Sequence, residues 1–298
     1  MTDRQCGYVA LVGAPNAGKS TLMNRLMGTK VSIVTHKVQT TRARIIGVSV
    51  HDTTQIIFVD TPGIFAPKRR LERAMVAAAW GGAADADVIV LLVDASEGSI
   101  NHALHVVAGL KKAGRRAVLA LNKVDLVPRD ALLSITEQLN ATGVFTDTFM
   151  ISALTGDGVD DLVPHFAAML PKGPWLYPED HLTDMNERLF ASEITRENLF
   201  LRLHQELPYA LTVETEGWED RPDGSVKIDQ VIYVERTSQR SIVLGKGGQQ
   251  IKAIGAAARI EIEALMERRV HLFLFVKVRD KWRDDPERYR EMGLDFTD

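Results

Sequence analysis

Short apolar runs closed by a polar residue or a glycine punctuate the first half of the chain. They fall at residues 8–12, 45–50, 55–59, 88–93, 117–121 and 148–151. Runs of this length, rich in Val, Ile and Leu, predict buried strands. Between the first two, residues 21–27 read as a helix ended by Gly28. Asp160-Asp161 reads as another helix start. Strands separated by helical stretches predict an α/β fold with a doubly wound, mostly parallel sheet. Pro171, Pro174 and Pro178 then interrupt both periods and mark a linker. Beyond it the pattern restarts. Thr183-Asp184 can cap a helix whose apolar stripe includes Phe190, Ile194 and Leu201. Residues 211–213 and 226–234 read as strands around a polar turn at 219–224. Residues 256–268 read as a helix and 270–278 as a closing strand. The expected division is 5–172, a linker at 173–185, and a small α+β domain at 186–298.

Composition narrows the class without naming a function. The 298 residues are 45% hydrophobic and 25% charged, with a net charge of −3. A core is easily filled, and a polycation is excluded, so any nucleic-acid contact must be a local patch. Cys6 is the one cysteine, which leaves no intramolecular disulfide and no cysteine-based metal site. No signal peptide is read at the N-terminus, and the aliphatic run at 88–93 is far too short to span a bilayer. A cytoplasmic location is expected.

The chemistry starts at Gly13-Ala14-Pro15-Asn16-Ala17-Gly18-Lys19-Ser20. This is G-x-x-x-x-G-K-S between a strand and a helix. Its glycines let consecutive N–H groups point at phosphate oxygens, Lys19 can reach the β- and γ-phosphates, and the Ser20 hydroxyl can ligate Mg²⁺. Residues 13–20 and Thr21, at the positive end of the helix, are the expected phosphate contacts. Asp60-Thr61-Pro62-Gly63 closes the run at 55–59. Asp60 can hold Mg²⁺ through water, and the Gly63 N–H can bond a γ-phosphate and release it on hydrolysis. Asn122-Lys123-Val124-Asp125 follows the run at 117–121. Asp125 can accept both N1–H and the exocyclic amino group of guanine, which adenine lacks. Asn122 suits the O6/N7 edge, and the Lys123 stem can lie over the ring. Ser152-Ala153-Leu154 offers backbone N–H groups for guanine O6. In a doubly wound sheet all of these strand ends share one rim.

The ensemble resembles the small translation-type GTPases. Ile64 stands where Ras-like members carry a water-orienting glutamine, which is similar to the hydrophobic-substituted bacterial group. In part of that group an asparagine at the place of Asn16 supports a potassium ion, so K⁺ joins GTP/GDP and Mg²⁺ among the expected cofactors. Lys19, Thr41, Gly63 and Asn16 are the expected catalytic set. Thr40 and Thr41 are adjacent, and only one can face the metal; the resemblance favours Thr41, making Ser20, Thr41 and Asp60 the metal set. Lys68, Arg69 and Arg70 read as a solvated mobile segment.

In the second half, Gly245-Lys246-Gly247-Gly248 is a G-x-x-G between helical stretches. Such a loop lets a backbone approach and clamp about four nucleotides. Residues 182–298 carry 18 Lys and Arg against 22 Asp and Glu. From 236 to 260, however, Arg236, Arg240, Lys246, Lys252 and Arg259 stand with no acid among them, a footprint for single-stranded RNA. The order of elements resembles the type II KH fold. A GTPase domain followed by one such domain resembles the Era family, through Val38-Gln39-Thr40-Thr41-Arg42, Leu207-Pro208-Tyr209, the G-K-G-G loop and Lys281-Trp282-Arg283-Asp284-Asp285. The resemblance implies a monomer that binds near the 3′ end of small-subunit ribosomal RNA, acts in small-subunit maturation, and associates loosely with the inner face of the cell membrane. Rival readings are a nucleotide-sensing RNA chaperone whose hydrolysis is incidental, and a metabolic P-loop kinase, against which Asp125 speaks.

Overall fold

The structure is a computed structural model that describes residues 4–96, 100–204 and 207–296. The described residues form two compact units, 4–184 with 290–296, and Met185–Tyr289. The sequence pattern assigns the whole of 186–298 to one domain, whereas 290–296 group with the first unit.

In the first unit the order is β1 (Gln5–Gly13), α1 (Lys19–Met27), β2 (Ile45–His51), β3 (Thr54–Asp60), α2 (Arg70–Asp85), β4 (Val88–Asp94), α3 (Ile100–Lys112), β5 (Ala117–Asn122), α4 (Arg129–Asn140), β6 (Phe145–Met150) and α5 (Leu162–Met169). The sheet runs β2-β3-β1-β4-β5-β6, and only the β2–β3 pairing is antiparallel. Every residue of β3 is buried, and so are the first six of β4, because helices cover both faces. Leu22 and Met23 of α1 and Phe166 of α5 pack with Val9, Leu11 and Val90 on one side. Ala79, Val106 and Leu139 from α2, α3 and α4 pack with Ala10, Val12 and Leu119 on the other. Strand register brings Leu11 beside Asp60, and Asp94 beside Asn122, so the functional strand ends share one rim.

The proline-rich linker is not a free tether. The Trp175 indole N–H donates to Thr53 O at 3.1 Å. Gln55 is fully buried, and its Oε1 accepts from the N–H groups of Leu176 and Tyr177 at 2.9 and 3.0 Å. Its Nε2 donates to Tyr177 O at 2.8 Å. Further on, Val48 N–H of edge strand β2 donates to Leu182 O at 2.9 Å, and the Thr183 hydroxyl donates to Ile46 O at 2.7 Å.

The second unit contains α6 (Glu187–Arg202), β7 (Leu211–Asp220), β8 (Val226–Val234), α7 (Thr237–Leu244), α8 (Gln249–Met266), β9 (Val270–Val278) and α9 (Pro286–Glu291), whose first four residues belong to it. β7 pairs antiparallel with β8, and β8 parallel with β9. Leu199 and Phe200 of α6 and Ile254 of α8 cover Ile232 and Val234.

Several expectations are corrected. The cap of α6 is Asn186, whose side chain accepts from Leu189 N–H, because Thr183 is already engaged with β2. Leu201 is exposed although it keeps the helical period seven residues after Ile194; the buried residues of α6 run almost without a break from Ala191 to Phe200, and burial stops at the last turn of the helix. Glu219 and Asp220 extend β7 and pair with Lys227 and Val226, which narrows the turn. α8 begins at Gln249 because Gly248, at φ 77°, ends the glycine loop in the left-handed region and releases the chain into helix. Lys68 and Arg69 are not loose: their backbone N–H groups donate to the Glu72 carboxylate, and Arg70 opens α2.

Candidate functional site

The phosphate loop turns sharply out of β1. Gly13 lies so close to the next strand that a Cβ would sit 2.4 Å from Leu92 O. Asn16 (φ 63°) and Gly18 (φ 97°) complete the curl, and α1 starts at once with Lys19. Lys19 is buried, with Nζ 3.3 and 3.0 Å from the carbonyls of Gly13 and Ala14. Burial pushes its ammonium pKa down to about 8, against the pull of the Asp60 carboxylate. The loop and helix N-terminus make a nest of N–H groups with a buried cation inside it, which suits a polyphosphate.

Three sequence-predicted metal residues converge beside it. The Ser20 hydroxyl donates to Asp60 Oδ2 at 2.6 Å and lies 2.9 Å from the Thr41 hydroxyl, which is 3.4 Å from the same Oδ2. The Thr40 hydroxyl instead meets Thr35 Oγ1 and Lys37 O, each at 2.6 Å. Ser32 also donates to Asp60 Oδ2, at 2.8 Å. It is held there by Asn24 of α1, whose Oδ1 accepts from Val31 and Ser32 N–H. Burial raises the Asp60 pKa; Lys19 and the hydroxyls of Ser20, Ser32 and Thr41 oppose it. Asp60 Oδ1 is buried and has no hydrogen-bond partner. A buried, half-satisfied carboxylate among hydroxyl oxygens fits a hard divalent cation such as Mg²⁺.

The γ-phosphate side is built from backbone. The Thr61 hydroxyl donates to Leu11 O at 2.7 Å, and Ile64 N–H donates to Gly13 O at 3.0 Å. A Cβ on Gly63 would lie 2.7–2.9 Å from Pro15 atoms, so only glycine fits there. Ile64 is buried in the core with Ala10 and Val12 and presents no polar group. Asn16 Nδ2 donates to His36 O at 2.9 Å, which leaves its Oδ1 for a monovalent cation. We therefore expect turnover to be at least several-fold faster in K⁺ than in Na⁺ at equal ionic strength. Equal steady-state rates would remove the cation role from Asn16.

The base pocket departs from the sequence reading in two ways. Asn122 is buried; its Nδ2 donates to Ala17 O at 2.8 Å, and its Oδ1 accepts from Ala153 N–H at 2.9 Å. It ties the phosphate loop to the 152–154 loop, and at most one N–H is left for the O6/N7 edge. Of the three N–H groups offered to O6, that of Ser152 donates to Asp157 O and that of Ala153 to Asn122, so Leu154 alone remains. Lys123 stands at φ 65°, with its ammonium on Asp94 Oδ2. Burial works against the Asp94 charge, but Lys123 and the hydroxyl and amide of Ser96 outweigh it and leave the carboxyl below its usual range. Asp125 is exposed on the same turn.

Asp94, Ser32, Asn24 and Arg25 were missed as site residues. Arg25 Nε donates to Ala153 O at 3.3 Å, and a terminal guanidinium N–H donates to Leu154 O. In the sequence it is one more arginine on an amphipathic helix, with no local signal. Asp94 had one: it closes a buried strand run that ends on the functional rim.

In the second unit the glycine loop is open. Gly245, Gly247 and Gly248 all have positive φ, and a Cβ on Gly247 or Gly248 meets nothing within 4 Å. Arg236, Arg240, Lys246 and Lys252 are exposed around it, with the apolar Ile242 side chain among them. Arg259, which the sequence groups with them, is paired to Glu263 at 2.8 Å, so the strip presents four cations rather than five.

Comparison with known proteins fixes the family. Residues 8–123 match the family described as 50S ribosome-binding GTPase, and residues 206–283 match the KH domain family. The chain is 62% identical over 290 residues to a GTPase Era from Sinorhizobium medicae, covering 97% of this chain and 94% of that one. It is 60% identical over 295 residues to a GTPase Era from Brucella suis, covering 99% and 95%. The chain belongs to the Era family of GTPases. A crystal structure of Era in complex with MgGDPNP and nucleotides 1506–1542 of 16S ribosomal RNA has 38% identity and a TM-score of 0.92, over 97% of this chain and 99% of that one. A variant of Aquifex aeolicus Era bound to GDP·AlF₄⁻ has 38% identity and a TM-score of 0.91 over the same shares. Era-family membership makes this protein a GTPase with a C-terminal KH domain, which excludes the metabolic kinase.

Proposed function

We propose that this protein is a GTP-driven switch that binds RNA near the 3′ end of small-subunit ribosomal RNA and acts in small-subunit assembly. The observation that carries it is the pairing, in one chain, of a nucleotide rim with an open, cation-flanked glycine loop. An Era 38% identical over nearly the whole chain binds a Mg²⁺–GTP analogue and 16S nucleotides together.

The residues divide the work. N–H groups of the 13–20 loop and the Lys19 ammonium hold the β- and γ-phosphates and neutralise charge that grows during transfer. Ser20, Thr41 and Asp60 would hold Mg²⁺, which when bound would supply further charge neutralisation. Gly63 N–H senses the γ-phosphate. Ile64 is buried, so no side chain at that position orients the attacking water. Asp125 reads guanine, and Asn122 and Arg25 keep the pocket walls together. Gly245–Gly248 clamps the RNA backbone with Arg236, Arg240, Lys246 and Lys252 on its phosphates. Loss of the γ-phosphate frees Thr41 and Gly63, and that release changes how the KH domain is presented. The setting is the cytoplasm. Any contact with the inner membrane is peripheral; among the described residues no helix is long and apolar enough to cross it.

RNA crosslinking in cells, on the wild type and Gly247→Asp, tests the RNA half. Asp tolerates the left-handed backbone of Gly247, and its Cβ enters open space, so the fold survives. Its carboxylate repels a phosphate. Wild-type crosslinks should concentrate at the 3′ end of small-subunit ribosomal RNA, and the variant should lose most of them. Scattered crosslinks, or an unaffected variant, would sink the RNA assignment and leave the GTPase standing.

A further inference from the structure

The two nucleotide-sensing segments meet at a single carboxylate. Gln39 lies two residues before Thr41 and sits in the left-handed region at φ 60°. That conformation is unfavourable for a residue with a side chain, and it calls for a compensating contact. The Gln39 Nε2 donates to Glu72 Oε1 at 3.1 Å. The other oxygen, Oε2, accepts from the N–H groups of Lys68 and Arg69 at 2.7 and 3.1 Å. A glutamate in the first turn of a helix ordinarily satisfies only its own N-terminus. Here the same side chain also reaches across to the loop that carries Thr41.

We propose that Glu72 is a positioning residue for GTP hydrolysis, fastening the Thr41 loop to the start of α2 so that both segments order together around the γ-phosphate. The proposal rests on the switch reading above. Thr41 reaches the metal only if the loop behind it is closed, and the segment after Gly63 is fixed by its junction with α2. A shared carboxylate makes each ordering step assist the other. The coupling should act on the triphosphate state and leave the diphosphate state nearly untouched.

A double-mutant cycle tests it. Affinities for GDPNP and for GDP, both with Mg²⁺, and single-turnover hydrolysis rates are measured for Gln39→Ala, Glu72→Ala, their pair and Gln39→Glu. Glu72→Gln alone would keep the contact, because the Gln39 amide can turn and accept from the new NH₂, whereas Glu72→Ala removes it and Gln39→Glu sets two carboxylates against each other. Each single variant should lose three- to tenfold in GDPNP affinity and in rate, with GDP affinity within twofold of wild type. The combined variant should be no worse than the poorer single one. The swap Gln39→Glu with Glu72→Gln restores one donor and one acceptor and should recover rate and affinity to within twofold. Equal losses for GDP and GDPNP, additive effects, or a failed swap would leave Glu72 as a helix cap only and overturn the proposal. Hydrogen exchange of residues 37–41 in the wild type separates this from failure of the switch reading. Identical protection with GDP and GDPNP would overturn both, whereas stronger protection with GDPNP and unaffected variants would overturn the coupling alone.

Discussion

Asp125→Asn should lower affinity for GTP and GDP by roughly three orders of magnitude and raise affinity for xanthosine nucleotides. The carboxylate accepts from N1–H and from the exocyclic amino group, and both bonds are charge-assisted. An asparagine keeps one acceptor and turns an NH₂ group toward the guanine amino group, donor against donor. Xanthine carries a carbonyl at that position and accepts the new N–H. Asp125 is exposed, so the fold should tolerate the change. Fluorescent-nucleotide titration with both bases reads the result. Similar losses for guanine and xanthine nucleotides would mean that the base is not read at Asp125.

Lys19→Met should reduce single-turnover hydrolysis by about a thousandfold or more. Methionine keeps the stem in its buried channel and removes only the ammonium. In the nucleotide-free protein that ammonium is a costly group: burial has pushed its pKa down to about 8 from the ordinary lysine range. Below that pH the folded protein carries the cost of a buried charge, so its removal should hold or raise the melting temperature while activity collapses. Opposite signs for stability and rate identify a group kept for phosphate. A fall in both would mark Lys19 as structural, and retained hydrolysis would remove it from the mechanism.

The parts of the fold that were legible are those whose cause is contiguous in sequence. The runs at 226–234 and 270–278 coincide with β8 and β9 because β-branched, aromatic and other apolar residues recur along each of them from the first residue to the last. Gly13, Asp60 and Asn122 come to one rim because each closes a parallel strand, a consequence of sheet topology alone. What was not legible lies in contacts between distant segments. Asn122 looked like a base reader, yet its amide spans 105 residues in sequence to Ala17 and 31 to Ala153. No local pattern distinguishes Ser32 from other loop serines, or Glu72 from other first-turn glutamates. The start of α6 was misread because Thr183, Asp184 and Asn186 are all good caps. The choice was made by β2, which engages Thr183 first.

That engagement has a consequence for the first unit considered as a fragment. β2 is an edge strand, and a bare edge is a template for strands of other molecules. In the intact chain Val48 N–H and Ile46 O, which would face outward, are occupied by Leu182 and Thr183. The segment that looks like a spacer therefore works as an edge guard. A GTPase fragment cut at residue 172 would keep the nucleotide rim but expose the β2 edge to self-association, whereas one carried through residue 184 would bring its own cover.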